Sequence, residues 1–181
     1  MPFCLSNYIL TLFKKPKMSS ATNIAPSSVV PARLTASQLS TLLLDPAESS
    51  KIAVIDVRDD GPSPLPYLTP ITKTKTDYIG GHIKSSINVP SSTLDHALPS
   101  LVRKLADKET VVFHCALSQV RGPKAAARYI RERERLEKDK GEKREQRVVV
   151  LERGFEGWQE VFGRDGRLTE EYDEKVWAED W

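Results

Sequence analysis

Short apolar runs alternate with amphipathic segments along the central part of the chain. The runs Ile52–Val57, Thr110–His114 and Val148–Leu151 are rich in β-branched residues and are bounded by polar ones, so each predicts a buried strand. Ile87–Val89 predicts one more short strand. Strands that alternate with helices at these lengths predict an α/β fold, in which a mostly parallel central sheet is flanked by helices.

The predicted helices follow from apolar positions three and four residues apart. Thr35 and Gln38 have the spacing of a capping box, and the leucines that follow lie on one helical face. A second helix over 92–107 is predicted to break near Pro99. The remaining helices are predicted over 122–140 and around the apolar positions Phe155, Trp158 and Phe162.

Composition divides the chain into one domain with a segment at each end. Residues 1–32 are predicted to be a flexible tail and linker, because 14–32 are rich in Ser and Pro. Residues 33–163 form the predicted domain, and 164–181 form an acidic C-terminal extension. Within the domain, 61–76 contain four prolines without a periodic pattern, which indicates an inserted surface loop.

Charge and cysteine content exclude several classes of function. With 27 basic and 25 acidic residues among 181, the net charge of +2 favours neither nucleic-acid nor acidic-membrane binding. Two cysteines, Cys4 and Cys115, cannot form a disulfide framework, and three histidines without clustered acids or thiols do not indicate a metal site. We therefore expect a monomer without metal or cofactor. The expected location is the cytoplasm or nucleus, with a mitochondrial signal in residues 1–20 as an alternative.

One segment combines the features of a nucleophile with those of an anion site. The predicted strand 110–114 leads directly into Cys115, and a helix is predicted to begin just after Arg121. The thiol therefore lies where open α/β sheets bind ligands, and it faces a helix N-terminus, which favours an anion. Arg121 adds a planar fork of donors with permanent positive charge. Such a setting favours the reactive thiolate.

The spacing of this segment suits a tetrahedral oxyanion. The five intervening residues can close a loop whose backbone N–H groups point at one centre; they are Ala116, Leu117, Ser118, Gln119 and Val120. An oxyanion held there would place its central atom against the Cys115 thiolate and two oxygens on Arg121. The simpler alternative is that Cys115 is a small buried residue beside an unrelated arginine.

The sequence HCALSQVRGP, residues 114–123, resembles the signature of the rhodanese-fold cysteine phosphatases. These form the superfamily of the cell-cycle dual-specificity phosphatases. The resemblance is strongest to their small fungal relatives, which include tyrosine phosphatases and arsenate reductases. Three further segments are similar to the family pattern in the same order, and the resemblance spans 33–163; the segments are Val54–Arg58, Asp77–Pro90 and Leu151–Trp158.

This resemblance implies roles for the residues of the loop. Cys115 would be the nucleophile and Arg121 the clamp for the transition-state anion, while the backbone of 116–120 would form the oxyanion cradle. The Ser118 hydroxyl could donate to the thiolate. His114 and Gly122 would be structural residues beside the site. Sulfurtransferases of this fold have a loop one residue shorter, so the spacing here favours phosphate or arsenate.

The resemblance leaves the reaction open between several alternatives. The leading one is a protein phosphatase for phosphotyrosine, or of dual specificity, which forms a phosphocysteine intermediate. The second is an arsenate reductase that uses the same cysteine with an external thiol such as glutathione. A sulfurtransferase and a non-catalytic, phosphate-dependent binding module are less favoured. The substrate is accordingly a phosphorylated protein or a small oxyanion.

One position departs from the pattern of the larger phosphatases, which have an acidic residue just before the loop arginine. Here that position is Val120, so the loop itself offers no general acid. Asp59, Asp60 and Glu156 are candidates by their position in the chain.

Overall fold

The computed structural model describes residues 30–59, 77–141 and 145–178. Residues 1–29 of the predicted tail and linker 1–32, and the whole predicted loop 61–76, therefore lie outside the described residues. In chain order the elements are β1 (Ala32–Leu34), α1 (Ala36–Leu44), α2 (Pro46–Ser49), β2 (Ile52–Asp56), β3 (His82–Ile83), β4 (Ile87–Asn88), α3 (Leu94–Lys104), β5 (Thr110–His114), α4 (Arg121–Lys140), β6 (Arg147–Leu151), α5 (Gly154–Phe162), β7 (Thr169–Glu170) and α6 (Glu174–Ala178).

The central sheet has five parallel strands in the order β1-β6-β5-β2-β4. This arrangement confirms the predicted α/β fold and the four predicted strands. The structure adds a fifth strand to this sheet, β1. It has only three residues, of which Leu34 alone is buried, so the sequence shows no periodic pattern from which this strand could be predicted. Because β5 lies between β6 and β2, the loop that follows β5 emerges at the centre of the carboxyl edge of the sheet.

Both faces of the sheet are covered, which explains why its strands are continuous apolar runs. Successive residues of a strand point to opposite faces. Val111 and Phe113 of β5 accordingly belong to the core that includes residues of α3 and α4, among them Leu98 and Tyr129. Val112 belongs to the opposite core, with residues of α1 and α5. Every element that carries the site is therefore anchored in one of these two cores.

Helix α1 begins as the sequence predicts. The side chain of Thr35 accepts a hydrogen bond from the Gln38 N–H at 3.2 Å, and the Gln38 side chain accepts one from the Thr35 N–H at 3.0 Å. Both halves of the capping box are thus formed, and they satisfy two backbone donors that the first turn leaves without an intrahelical partner.

The predicted break near Pro99 is wrong. Helix α3 runs from Leu94 to Lys104 with Pro99 inside it. Proline lacks an N–H and therefore removes one hydrogen bond from the helix interior. The buried stripe of this helix, which includes Leu94, Leu98 and Leu101, packs in the core and keeps the helix continuous across that position.

The described part of the acidic C-terminal segment, residues 164–178, packs on the rest of the domain. Strand β7 pairs antiparallel with β3, and Leu168 and Thr169 are buried. Further along, the indole N–H of Trp177 donates to the Gly80 carbonyl at 2.8 Å, and its ring lies against Phe155 at 5.6 Å between centroids. This segment therefore supports residues 77–81, which lead into the site. Among the described residues, no helix has the length and apolarity needed to cross a membrane.

Candidate active site

The loop after β5 wraps tightly around the Cys115 sulfur. Cys115 is only 4% exposed, and its Sγ accepts a hydrogen bond from the Ser118 N–H at 3.2 Å. In the reverse direction, the Cys115 N–H donates to the Ser118 hydroxyl oxygen at 3.4 Å. A backbone N–H aimed at sulfur stabilises a thiolate more than a thiol, because it donates to the charged form.

Ser118 reaches this position through an unusual backbone conformation. Its φ is 51°, in the left-handed region, and the residue is fully buried. A Cβ placed on Gly122 would meet the Ser118 Oγ at 3.2 Å and the His114 Cα at 3.5 Å. Gly122 therefore allows the first turn of α4 to approach the loop and the end of β5 closely.

Helix α5 holds the loop from the opposite side. The N–H groups of Phe155 and Glu156 donate to the carbonyls of Cys115 and Ala116 at 2.9 and 3.0 Å. These donors belong to the first turn of a helix and have no intrahelical acceptor. In a trans peptide the N–H points opposite to the C=O, so the N–H groups of Ala116 and Leu117 point away from α5.

Gly154 makes this contact possible. Its φ is +59°, and a Cβ at this position would collide with the carbonyl oxygens of Cys115 and Ala116. Gly154 belongs to the segment Leu151–Trp158, which resembles the family pattern. The structure explains this glycine, because the backbone of α5 touches the backbone of the loop.

Arg121 is the first residue of α4, and two carboxylates hold its guanidinium. Its Nη1 donates to Asp59 Oδ2 and to Asp77 Oδ1, both at 3.0 Å, and its Nη2 donates to Asp77 Oδ2. The hydrogen bond to Asp77 is the largest cause that raises the pKa of Arg121 above its usual value, while partial burial opposes it. The arginine therefore keeps its charge and has a defined orientation.

Asp59 and Asp77 also bind each other. The Asp59 N–H donates to Asp77 Oδ1 at 2.7 Å, and the Asp77 N–H donates to the Asp59 carbonyl at 3.0 Å. Asp59 further accepts hydrogen bonds from the hydroxyls of Ser91 and Ser92. Burial acts to raise the pKa of Asp59, but the bonds from both serines and Arg121 outweigh it and lower the pKa. Asp59 is consequently ionised.

The structure distinguishes between the candidate acids that chain position suggested. Asp59 lies against Arg121, whereas Asp60 falls outside the described residues. Glu156 lies in the first turn of α5 and contacts the loop through its backbone N–H. Sequence reasoning missed Asp77, which is 44 residues from its partner Arg121. Asp77 is the first residue of the segment Asp77–Pro90, which resembles the family pattern, and this position was the one feature of the sequence that could have indicated it.

A buried ion pair lies beneath the loop. Asp56 and Arg58 are both fully buried, with 2.7 Å between Oδ2 and Nη2. Arg58 also donates to the carbonyls of Ile79 and Gly81 at 3.1 and 2.7 Å, and its guanidinium lies 4.2 Å from the Phe155 ring centroid. One arginine thus connects the end of β2, residues 79–81 and the start of α5.

His114 lies between this ion pair and the nucleophile. Its Nε2 is 3.6 Å from Asp56 Oδ2, and its Nδ1 is 3.4 Å from the Cys115 carbonyl oxygen. Complete burial lowers the pKa of His114 below its usual value, although Asp56 opposes the shift. A neutral, enclosed imidazole is consistent with the structural role that the sequence predicted.

The rim of the loop combines apolar and basic side chains. Leu117 and Val120 are 44% and 55% exposed, although both are apolar. Arg33, which sequence reasoning did not single out, donates from Nη1 to the Ser118 carbonyl at 3.4 Å. Within the described ranges, no group of three or more potential metal ligands comes together.

Comparisons with known proteins show the family to which this chain belongs. The family model described as "Rhodanese-like domain" matches residues 39–161. The chain is 37% identical over 146 residues to a protein named dual specificity phosphatase Cdc25 from Arabidopsis thaliana. This match covers 81% of this chain and 80% of the relative. It is also 37% identical over 131 residues to arsenate reductase 2.2 from Oryza sativa subsp. japonica, covering 72% and 83% of the two chains.

A solved structure supports the same relationship. Saccharomyces cerevisiae Ygr203w, described as a homolog of single-domain rhodanese and of the Cdc25 phosphatase catalytic domain, superimposes with a TM-score of 0.61 at 28% identity. The match covers 81% of this chain and 91% of that structure. The resemblance seen in the sequence is therefore confirmed, and the chain belongs to the rhodanese-like domain family, with relatives named as Cdc25-like phosphatases and as arsenate reductases.

Proposed function

We propose that this protein is a cysteine-dependent phosphatase that hydrolyses phosphotyrosine or similar esters through a phosphocysteine intermediate. The observation that carries the proposal is the enclosure of the Cys115 sulfur, which accepts the Ser118 N–H at 3.2 Å in a loop that ends on Arg121. A cysteine that merely fills a core would have no use for a donor aimed at its sulfur or for an oriented cation six residues later.

The reaction divides into two displacements at phosphorus. In the first, the Cys115 thiolate attacks the phosphoryl group, and the sulfur–phosphorus bond forms as the ester bond breaks. In the second, water attacks the phosphocysteine and releases inorganic phosphate. The N–H groups of Ala116 and Leu117, together with Arg121, would stabilise the charge on the equatorial oxygens in both steps.

The apolar rim supports an aryl ester as substrate. The exposed side chains of Leu117 and Val120 lie on the rim of the loop and would contact the group attached to the phosphate. An aromatic ring gains free energy from such contact, at roughly 25 cal/mol per Å² of apolar surface removed from water, whereas a bare inorganic anion gains nothing. This feature favours the phosphatase over the reductase.

Turnover of an aryl phosphate tests the proposal directly. We expect the wild-type protein to hydrolyse p-nitrophenyl phosphate, and we expect Cys115→Ser to abolish turnover while the binding of tungstate survives. Arg121→Lys is the matched variant, because it keeps the charge but removes the planar fork, so both tungstate affinity and turnover should fall. Absence of wild-type turnover at every pH from 5 to 8 would contradict the phosphatase, and tungstate binding without turnover would indicate a binding module.

Arsenate reduction is the second candidate, favoured by the relatives named as arsenate reductases. Arsenate would occupy the same loop and Cys115 would attack arsenic. Cys115 is the free cysteine among the residues described, so we propose that an external thiol such as glutathione supplies the reducing equivalents. The test is glutathione-dependent formation of arsenite, measured with and without a glutaredoxin, and it supports the reductase only if Cys115→Ser abolishes the product.

A further inference from the structure

Arg33 brings a second guanidinium to the rim of the loop that encloses Cys115. It is the middle residue of β1, and its partner in the register with β6 is Val150, whose side chain packs in the core shared with α3 and α4. Because paired residues of neighbouring strands point to the same face of a sheet, the Arg33 side chain extends over this face too. Its Nη1 reaches the Ser118 carbonyl at 3.4 Å, across 85 positions of the chain.

The Arg33 guanidinium keeps donors that the loop does not use. The residue is exposed, because β1 is an edge strand of the sheet. The bond to Ser118 occupies one of its five N–H groups, and the edge formed by Nε and Nη2 takes no part in it. The ion pairs among the described residues do not include Arg33. Its charge is therefore available to an anionic group that reaches the rim.

The other arginine of the site is already bound to carboxylates. Asp59 and Asp77 accept hydrogen bonds from the Arg121 guanidinium, and Asp59 lies shortly after β2. In the sheet order, β2 lies on one side of β5, while β1 lies on the other side, beyond β6. An acidic side chain beside a bound phosphate would thus meet repulsion on the β2 side and attraction to Arg33 on the β1 side.

The acidic side chains that follow β6 are matched by a different arginine. The hydrogen bond to Glu160, followed by the charges of Glu156 and Glu152, raises the pKa of Arg153. The loop itself contributes no acid, because its five side chains are those of Ala, Leu, Ser, Gln and Val. The positive charge of Arg33 therefore has no ion-pair partner in either of these groups.

One substrate can contact both the thiol and Arg33. The Cys115 Sγ lies 3.2 Å from the Ser118 nitrogen, and the carbonyl oxygen of the same residue lies 3.4 Å from Arg33 Nη1. With standard backbone bond lengths, the sulfur and this nitrogen are at most about 11 Å apart. The ring of a phosphotyrosine separates its phosphorus from its backbone by a comparable length, and the adjacent Cα lies about 3.8 Å further on. A carboxylate on a neighbouring residue can thus reach the rim.

We propose that Arg33 is a specificity-determining residue that binds the carboxylate of an acidic residue next to the phosphotyrosine of a protein substrate. The inference rests on the proposed function and names the substrate class within it. A guanidinium and a carboxylate can pair through two hydrogen bonds, which would orient the substrate as well as attract it. Because the pair lies at the rim in water, its effect is at most about fivefold and falls with added salt.

Three phosphotyrosine peptides test this inference. One has alanine on both sides of the phosphotyrosine, the second has aspartate directly before it and the third has aspartate directly after it. We expect the wild-type kcat/KM to be about three- to fivefold higher for at least one aspartate peptide than for the alanine peptide in about 0.1 M salt. This preference should shrink in about 1 M salt.

Two substitutions of Arg33 test the role of its charge. Arg33→Met removes the charge but keeps an unbranched side chain, so the ratio of kcat/KM between aspartate and alanine peptides should fall to about one. Arg33→Glu should make the alanine peptide the better substrate, because like charges repel. Far-ultraviolet circular dichroism checks folding, and Arg33→Gln gives the same comparison if Arg33→Met fails to fold.

Arg147→Met is the matched control. It also removes one exposed arginine, but from the first position of β6, at the edge of the sheet opposite to the loop, so the wild-type ratio should persist. Equal wild-type rates on the three peptides would overturn the inference. So would an unchanged ratio in Arg33→Met with a uniform loss on all peptides, since Arg33 would then only support the Ser118 carbonyl. Failure of the proposed function is distinct, because the wild-type protein would hydrolyse none of the peptides.

Discussion

Replacement of Gly154 by alanine tests whether helix α5 holds the loop that follows β5. The new Cβ would collide with the carbonyl oxygens of Cys115 and Ala116, so the N–H groups of Phe155 and Glu156 could no longer reach those carbonyls at 2.9 and 3.0 Å. A left-handed backbone costs a non-glycine residue about 1–2 kcal/mol, and each lost hydrogen bond costs about 0.5–1.5 kcal/mol. We expect Gly154→Ala to lower the free energy of unfolding by about 2–5 kcal/mol.

Gly141→Ala separates the two contributions. Gly141 also has a left-handed backbone, with φ of 68°, but a Cβ there would meet no atom within 4 Å. This variant should therefore lose only the backbone contribution of about 1–2 kcal/mol. Urea unfolding followed by tryptophan fluorescence measures both values.

Activity provides an independent measurement on the same two variants. Cys115 and Ala116 are the first two residues after β5, so their displacement in Gly154→Ala should move the whole loop. We therefore expect this variant to have a lower kcat for p-nitrophenyl phosphate in the absence of urea. Gly141 lies at the far end of α4, so its variant should keep the wild-type kcat. If Gly154→Ala destabilises the protein no more than Gly141→Ala and retains full activity, the contact between α5 and the loop does not have the role inferred for it.

Three further predictions concern the groups beneath and beside the loop. Asp56→Asn leaves buried Arg58 without its counter-charge, so it should lower the free energy of unfolding in urea by about 3–5 kcal/mol. The control Glu160→Gln removes the exposed ion pair with Arg153 and should lower it by less than about 1 kcal/mol. Burial lowers the pKa of His114, so this histidine binds a proton more readily in the unfolded chain than in the folded protein. The free energy of unfolding should therefore fall as the pH drops below about 6.5. His114→Gln should flatten this pH dependence, whereas the control His96→Gln, at an exposed position, should leave it unchanged. Trp177→Phe loses the hydrogen bond to the Gly80 carbonyl and should lower stability by about 1 kcal/mol in the same assay; no change would show that the bond contributes nothing.

The local elements of this protein could be predicted because their causes are local. A capping box at Thr35 depends on two residues three positions apart, and a buried strand such as β5 depends on a run of five. The candidate nucleophilic loop belongs to the same class. Its cysteine, its five spacing residues and its arginine are contiguous, so strand, loop and helix N-terminus can be recognised together.

Helix α3 shows where local reasoning was insufficient. Proline alone predicts a break at residue 99, but the helix continues because its apolar stripe is buried. The cost of one missing hydrogen bond is visible in the sequence, while the stabilisation from packing depends on what the stripe contacts.

Sequence alone therefore predicted the α/β fold and the order of its main elements, and it placed Cys115 and Arg121 in one loop that is a candidate anion site. Tertiary structure decided what surrounds that loop. The parallel order of β6, β5 and β2 brings Asp77 to Arg121 across 44 residues, and it brings the first turn of α5 to the loop carbonyls. These contacts join groups that are distant in the chain and carry no common spacing, because they depend on which strands lie side by side. The ion pair that orients Arg121 is consequently a property of the fold.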